Sequence, residues 1–229
     1  MGMASTLLWV GIAGASPAAD PVEAMQAAWS EVNAYCVDFV MTLHNATDSA
    51  VSVGEQCWDR RGVVRTETQV EGGSVLDIRS DRELWYRSPE QPKVLHVRTD
   101  ESVPWSGGQI GQGLGELVEL LTQSPGVQRQ EDVAFNGRTL WSFRLDGNDG
   151  VRAVVFVDAD HHLPAAFEIH RQGQPVMSVV YPYLSVDPLL PEGFFSIQPL
   201  AHEEVVEVEV SRRHSKREVV QALRDWRRP

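Results

Sequence analysis

No apolar run in this chain approaches the roughly 20 residues that a helix needs to cross a bilayer, so no segment reads as a membrane span. Cationic excess is missing too. Against 32 acidic residues stand 20 Lys and Arg, a formal charge of −12, which argues against generic nucleic-acid binding because phosphate contact needs surplus Lys and Arg. Cysteine is scarce. Cys36 and Cys57 are the only two, and their count excludes a C-x-x-C redox pair and a four-thiolate zinc site. No G-x-S-x-G elbow and no H-E-x-x-H motif occurs, so the familiar routes to an acyl enzyme or a zinc protease are not signalled. Gly111-x-Gly113-x-Gly115 has the wrong spacing for a dinucleotide loop and lies in no parallel βαβ unit.

What is present belongs to an ordinary globular protein, 42% hydrophobic and 23% charged over 229 residues. That is enough chain for one substantial domain, or a domain with an appendage. Leu7–Ala15 is a short apolar run followed by the small-residue pattern Ser16-Pro17-Ala18. Residues 1–18 therefore read as a signal peptide, although no Lys or Arg precedes the run; a buried N-terminal segment is the other reading. No cysteine lies near the cleavage region, so a soluble exported chain is expected. In an oxidising compartment Cys36 and Cys57 have the parity of one disulfide. A hairpin turning near Ala46-Thr47 would set the two sulfurs almost opposite each other, while two small core residues remain the alternative.

Asp20-Pro21-Val22-Glu23 is a helix start, with Asp as N-cap and Pro at the first helical position. Val22, Met25, Trp29 and Val32 follow on one face. From Tyr35 the period drops to two, and Val37, Phe39, Met41 and Leu43 mark a strand. Strand patterns recur at about 51–58, 63–70, 74–79, 82–87, 93–98, 127–134, 138–146, 150–158, 163–171 and 175–184, separated by tight turns such as Asn136-Gly137 and Gln172-Gly173. Consecutive strands joined this way form an antiparallel meander, and so many in one sheet must curl. One interruption occurs. After a glycine-rich stretch from Ser106, Leu114, Leu117, Val118 and Leu121 mark a short amphipathic helix, either a lid or a permanent plug. Phe194–Ile197 reads as a short closing strand, and Glu203–Val210 as a further strand or extended edge. The tail from Ser211 carries seven basic residues against Glu218 and Asp225, about +5, leaving about −17 on the rest. Its helix docks on an anionic membrane or on the acidic body, or stays solvated. Asp158, Asp160, His161 and His162 have the composition of a metal site, but they fall between two strands, where such residues serve as turn formers. No metal and no cofactor is expected.

Several segments, in order, resemble the LolA/LolB family of outer-membrane lipoprotein carriers and the wider superfamily that includes RseB-type sensors. Gly54-Glu55-Gln56-Cys57-Trp58-Asp59-Arg60-Arg61 is similar to a G-x-x-x-W-x-[KR]-R segment, and Ser80–Pro89 to an "SDGKTLWFYNP" hairpin with Arg82 where Gly is usual. Phe156-Val157-Asp158 through Leu163-Pro164 and the closing Phe194–Ile197 resemble further family segments. The likeness spans residues 21–200. It implies an α+β, mainly β fold: an open, strongly curved antiparallel β-barrel with an N-terminal helix and an inserted lid helix. It also implies a periplasmic, non-enzymatic carrier or chaperone whose apolar cavity takes lipoprotein acyl chains or another lipid. Envelope membrane proteins are further partners on this reading, nucleic acid is not, and the chain is a monomer. An RseB-like sensor or a structural envelope protein with a filled barrel are the alternatives. The domain reading is then a signal peptide over 1–18, a half-barrel over 20–200 and a charged extension over 201–229. Phe39, Met41, Trp58, Leu84, Tyr86, Phe143, Phe156, Phe167 and Met177 are the expected cavity walls. By resemblance, Arg61 would hold the lid shut, although Gly62 follows it where the carriers have Pro.

Overall fold

The computed structural model describes residues 20–45, 48–99 and 113–210. The expected signal peptide, the turn at Ala46-Thr47, the glycine-rich stretch before Gly113 and the basic tail lie outside the described residues. Helix α1 (Pro21–Glu31) starts where its capping signal sits, with the Asp20 carboxylate accepting the Val22 N–H at 2.8 Å. Six strands then follow in a meander: β1 (Ala34–His44), β2 (Ser49–Asp59), β3 (Val64–Val70), β4 (Gly73–Arg79), β5 (Glu83–Arg87) and β6 (Lys93–Thr99). Helix α2 (Leu114–Gln123) leads to the short pieces β7 (Gln128–Arg129) and β8 (Val133–Phe135), which replace the single strand expected over 127–134. The chain continues with β9 (Arg138–Asp146), β10 (Val151–Asp158), β11 (Pro164–Arg171), β12 (Gln174–Val186) and β13 (Glu204–Val210).

All thirteen strands belong to one sheet, in the order β13-β6-β5-β4-β3-β2-β1-β12-β11-β10-β9-β7, with β8 on β9. Two meanders thus meet where β1 pairs with β12. The joins need the residues found there: Asn136-Gly137 and Gln172-Gly173 both place two successive residues at positive φ, the backbone of a two-residue hairpin. This mainly β sheet with two helices is the fold that the resemblance implies. Two details differ from expectation. β13 runs parallel to β6, so the meander does not extend to the last strand. Phe194–Ile197 is a turn in place of a closing strand, because its ring system packs on a sheet face: Phe194 sits under the Arg65 guanidinium, 4.7 Å away, and Ile197 is buried with Leu76, Ile78 and Val94.

Side chains alternate between two faces. The inner face of β1 carries Tyr35, Val37, Phe39 and Met41, which join Phe143, Val155, Phe167 and Val179 in the main core under α1 and α2. The outer face carries the Leu76–Ile78–Val94 cluster and the disulfide Cys36–Cys57, with sulfurs 2.05 Å apart. The bridge forms because Cys36 and Cys57 are direct cross-strand partners in the β1–β2 hairpin. His96, buried on the outer face, stacks on Trp85 with ring centroids 3.7 Å apart. Its Nδ1 lies 3.1 Å from Glu207 of β13, outside hydrogen-bond geometry.

Candidate functional site

The helix read as lid or plug is seated in the core. Leu114, Leu117, Val118 and Leu121 are each at most 3% exposed. Two glycines permit the close approach: a Cβ on Gly115 would lie 2.8 Å from the Trp29 ring, and one on Gly113 2.7 Å from the Tyr35 hydroxyl. That hydroxyl accepts the first helical N–H, from Leu114, at 3.1 Å, and lies 3.3 Å from the Gln56 carbonyl. Gln56 reaches Thr66 in turn. A polar belt thus begins at the helix N-terminus and runs across β2, β3 and β4. It ends at the Asp77–Arg79 ion pair, 2.9 Å apart but outside hydrogen-bond geometry. Burial raises the pKa of the Asp77 carboxyl, and Arg79 opposes the shift. Burial likewise raises that of Glu116 on α2, again opposed by Arg79. Sequence reading missed this belt. Its trace is the polar phase Thr66, Thr68, Asp77, Arg79, which breaks the apolar alternation of the inner face.

The expected cavity walls do not enclose one void. Phe39, Met41, Phe143 and Phe167 are buried core, and Trp58 and Met177 pack against them. Leu84 and Tyr86 belong to a separate cluster with Leu95, Val97 and β13. Phe156 is on the wrong face: it pairs with Ser142 and Ala166 between the inward Val155 and Val157. The expectation for Arg61 also fails. Its Nε donates to Asp59 at 2.8 Å, and its side chain is 76% exposed, so it reaches Asp59 and solvent instead of α2.

Space is found elsewhere, at the margin of the inner face. A cleft of about 410 Å³ lies between the C-terminal half of α1 and the ends of β11 and β12. Ala28, Val32, Leu163, Ala165, Leu184 and Val186 give it apolar walls. Arg138, Asp158, His161, Glu31 and Asp187 stand around it. Two of these rim residues come from the group considered for metal. Asp158 accepts backbone N–H bonds from Asp160 (2.9 Å) and His161 (3.0 Å), contacts the His161 ring at 3.1 Å and pairs with Arg138 at 3.4 Å. Burial acts to raise its pKa, but the N–H donors of His161 and Asp160 outweigh burial and hold the carboxyl below its ordinary range. His162 stacks on Trp141. Asp187 caps the entry to β1, accepting from Asn33 (2.9 Å) and Ala34 (2.8 Å). Both carboxylates thus have structural partners, and the geometry around Asp158 is that of a turn closed by its own Asp. Cys36, Glu55 and Cys57 also lie close together, but both sulfurs are spent in the disulfide. Among the described residues no helix is long and apolar enough to cross a membrane.

No family model matches the chain, and no curated protein matches it in sequence. Solved structures do superpose. An uncharacterized conserved protein from Thermus thermophilus gives a TM-score of 0.56 at 8% identity, covering 82% of this chain and 96% of that one. A LolA superfamily protein from Nitrosomonas europaea gives 0.41 at 11% identity, covering 81% and 100%. The MucA/MucB complex of Pseudomonas aeruginosa gives 0.46 at 13% identity, covering 78% of this chain and 60% of that one. The Thermus likeness bears on the fold alone, and the other two are too distant to carry an argument.

Proposed function

We propose that this chain is a non-enzymatic periplasmic carrier that binds the acyl chain of a lipoprotein, or another amphiphile, in the cleft between α1 and the ends of β11 and β12. The observation that carries the reading is the cleft itself: apolar walls, a polar rim, and a volume of about 410 Å³, within the range of small-molecule sites. A linear chain enters end first, and its polar head stays among Arg138, His161 and Asp158. Each methylene buried contributes roughly 0.8 kcal/mol, so eight carbons give about 6 kcal/mol before ordering costs, with little selectivity for acyl type.

The test is uptake of a fluorescent dodecanoate analogue by the native chain and by Ala165→Trp, which fills the cleft from one wall. Uptake at least tenfold weaker in the variant, with an unchanged thermal midpoint, is the expected result. Equal uptake by both proteins, or none by the native chain, would overturn the proposal.

A further inference from the structure

We propose that the open edge of β2 at Val51 and Val53, on the opposite face from the cleft opening, is a docking site for an extended peptide segment that carries basic side chains. β2 pairs with β1 along all eleven of its residues. β3 covers only Gly54 to Trp58. Ser49–Ser52 therefore has a neighbour on one side alone.

The direction of its backbone groups follows from the ladder. Asp59 sends its N–H away from β1, to the Val63 carbonyl at 3.1 Å. Alternation by two gives Val53 and Val51 the same direction; the Gly54–Thr68 pair that ends the β2–β3 ladder uses the Val53 C=O, which leaves the Val53 N–H and both backbone groups of Val51 at the open edge. Among the described residues nothing takes them, and Val53 and Val51 are 43% and 62% exposed. Ser49 differs, since its N–H is capped by the Asp48 carboxylate at 2.7 Å.

Natural sheets guard such edges with charge, proline or bulges. The same molecule does so at β13, whose free edge carries Glu204, Glu207 and Glu209. The β2 segment, Ser-Ala-Val-Ser-Val, has none of these devices. An unguarded, β-branched overhang of an interior strand, on a sheet whose terminal strand β13 is guarded, is a template for strand addition.

Charge selects the occupant. Where β2 and β3 part, a groove of about 430 Å³ opens, lined in part by Asp38, Glu55, Glu67 and Gln69. Asp38 and Glu55 are direct cross-strand partners, as are Glu55 and Glu67. Like charges placed so are destabilising. Arg65 relieves Glu67, at 2.8 Å, but lies a strand away from Asp38. A strand added along Ser49–Ser52 sets an apolar side chain across from Val51 and turns its next outward residue toward the carboxylates, where Lys or Arg fits. A second copy fits worse, because it brings its own carboxylate row to the same face.

The test uses the full chain and the acetylated, amidated heptapeptide Lys-Thr-Val-Thr-Val-Thr-Lys, palindromic so that either strand direction is sampled. Saturable binding by calorimetry, with amide exchange at Val51 and Val53 slowed at least tenfold, is expected. Replacing both lysines of the peptide by glutamate weakens binding at least tenfold at low salt. Val51→Pro, which removes an edge donor and leaves the β1 side intact, weakens it similarly. Should that variant fail to fold, N-methylating the peptide's threonines in one sample and its valines in another asks the same question of the native chain: one set must abolish binding. No binding, tolerance of both methylated sets, or equal affinity for the glutamate peptide would overturn the proposal. So would amides at Val51 and Val53 already protected in the free protein, whether as a monomer, with the chain's own segment on the edge, or as a dimer.

Discussion

The two halves of the inner face are built differently although one hydrogen-bonded sheet runs through both. Under α1 and α2, the half made by β1 and β9–β12 is closed by apolar side chains, with Met25, Val37 and Val155 fully buried and Leu117 nearly so. Across β2, β3 and β4 the same face carries Gln56, Thr66, Asp77 and Arg79, and the apolar surface beyond them forms a separate cluster with β13. Helix α2 straddles the boundary, held by leucines on one side and by Tyr35 at its N-terminus. The difference shows that the curved sheet has no single empty interior. Its centre is filled, and the open space lies at the margin, between the C-terminal half of α1 and the ends of β11 and β12.

The contrast breaks most visibly in the packed half. Phe143→Ala should lower stability by about 3–5 kcal/mol in urea unfolding, because a filled site collapses poorly. Leu184→Ala, on the cleft wall, should lower it by less, about 2 kcal/mol, since that side chain already borders open space. Equal losses would put both residues in one kind of environment and erase the distinction.

A smaller effect is expected at the boundary. Tyr35→Phe removes the acceptor of the Leu114 N–H and a contact to Gln56. A loss of about 1–3 kcal/mol follows from the donor left buried, together with faster amide exchange at the first turn of α2. Unchanged exchange there would mean that the leucine face alone seats the helix.

The smallest effect concerns the cleft rim and appears only in acid. The N–H donors that hold the Asp158 carboxyl below its ordinary range, against the opposing effect of burial, stabilise the fold when it is ionised. For a lowered carboxyl that contribution is complete above the unfolded-chain pKa of about 4 and is lost as pH falls through the lower folded value. The stability gap between the native chain and Asp158→Asn should therefore narrow below about pH 4. A gap that stays constant as pH falls, for as long as both proteins remain folded, would show that Asp158 acts through packing alone.

Much of this architecture was legible in the residues. Asp20-Pro21 marked the start of α1, period two marked most strands within a residue or two, and Asn136-Gly137 and Gln172-Gly173 marked hairpins, since each of these signals is local. The leucine spacing located α2 as well, but could not say that it lies buried, which depends on Gly113 and Gly115 meeting Tyr35 and Trp29 from distant parts of the chain. Site reading did worse. Choosing large apolar residues, most of them aromatic, as cavity walls selected the side chains best suited to fill space, and the cleft is lined by others, among them Ala28, Ala165, Tyr181 and Val186. The misplacement of Phe156 is a one-residue error of phase, which in a strand changes the face. Arg61 was assigned by a motif whose neighbour, Asp59, captures it.

The central claim is that the ligand lies at the margin and not beneath the helices. Loading the chain with a fatty acid bearing a nitroxide near its methyl end, and reading paramagnetic broadening residue by residue, tests this directly. Broadening strongest at Leu163, Ala165 and Leu184, falling off through Val37, the cross-strand partner of Leu184, to Phe143 and Val155, is the predicted result. Broadening centred on Val37, Phe143 and Leu117 would contradict it and make α2 a lid that lifts from the core.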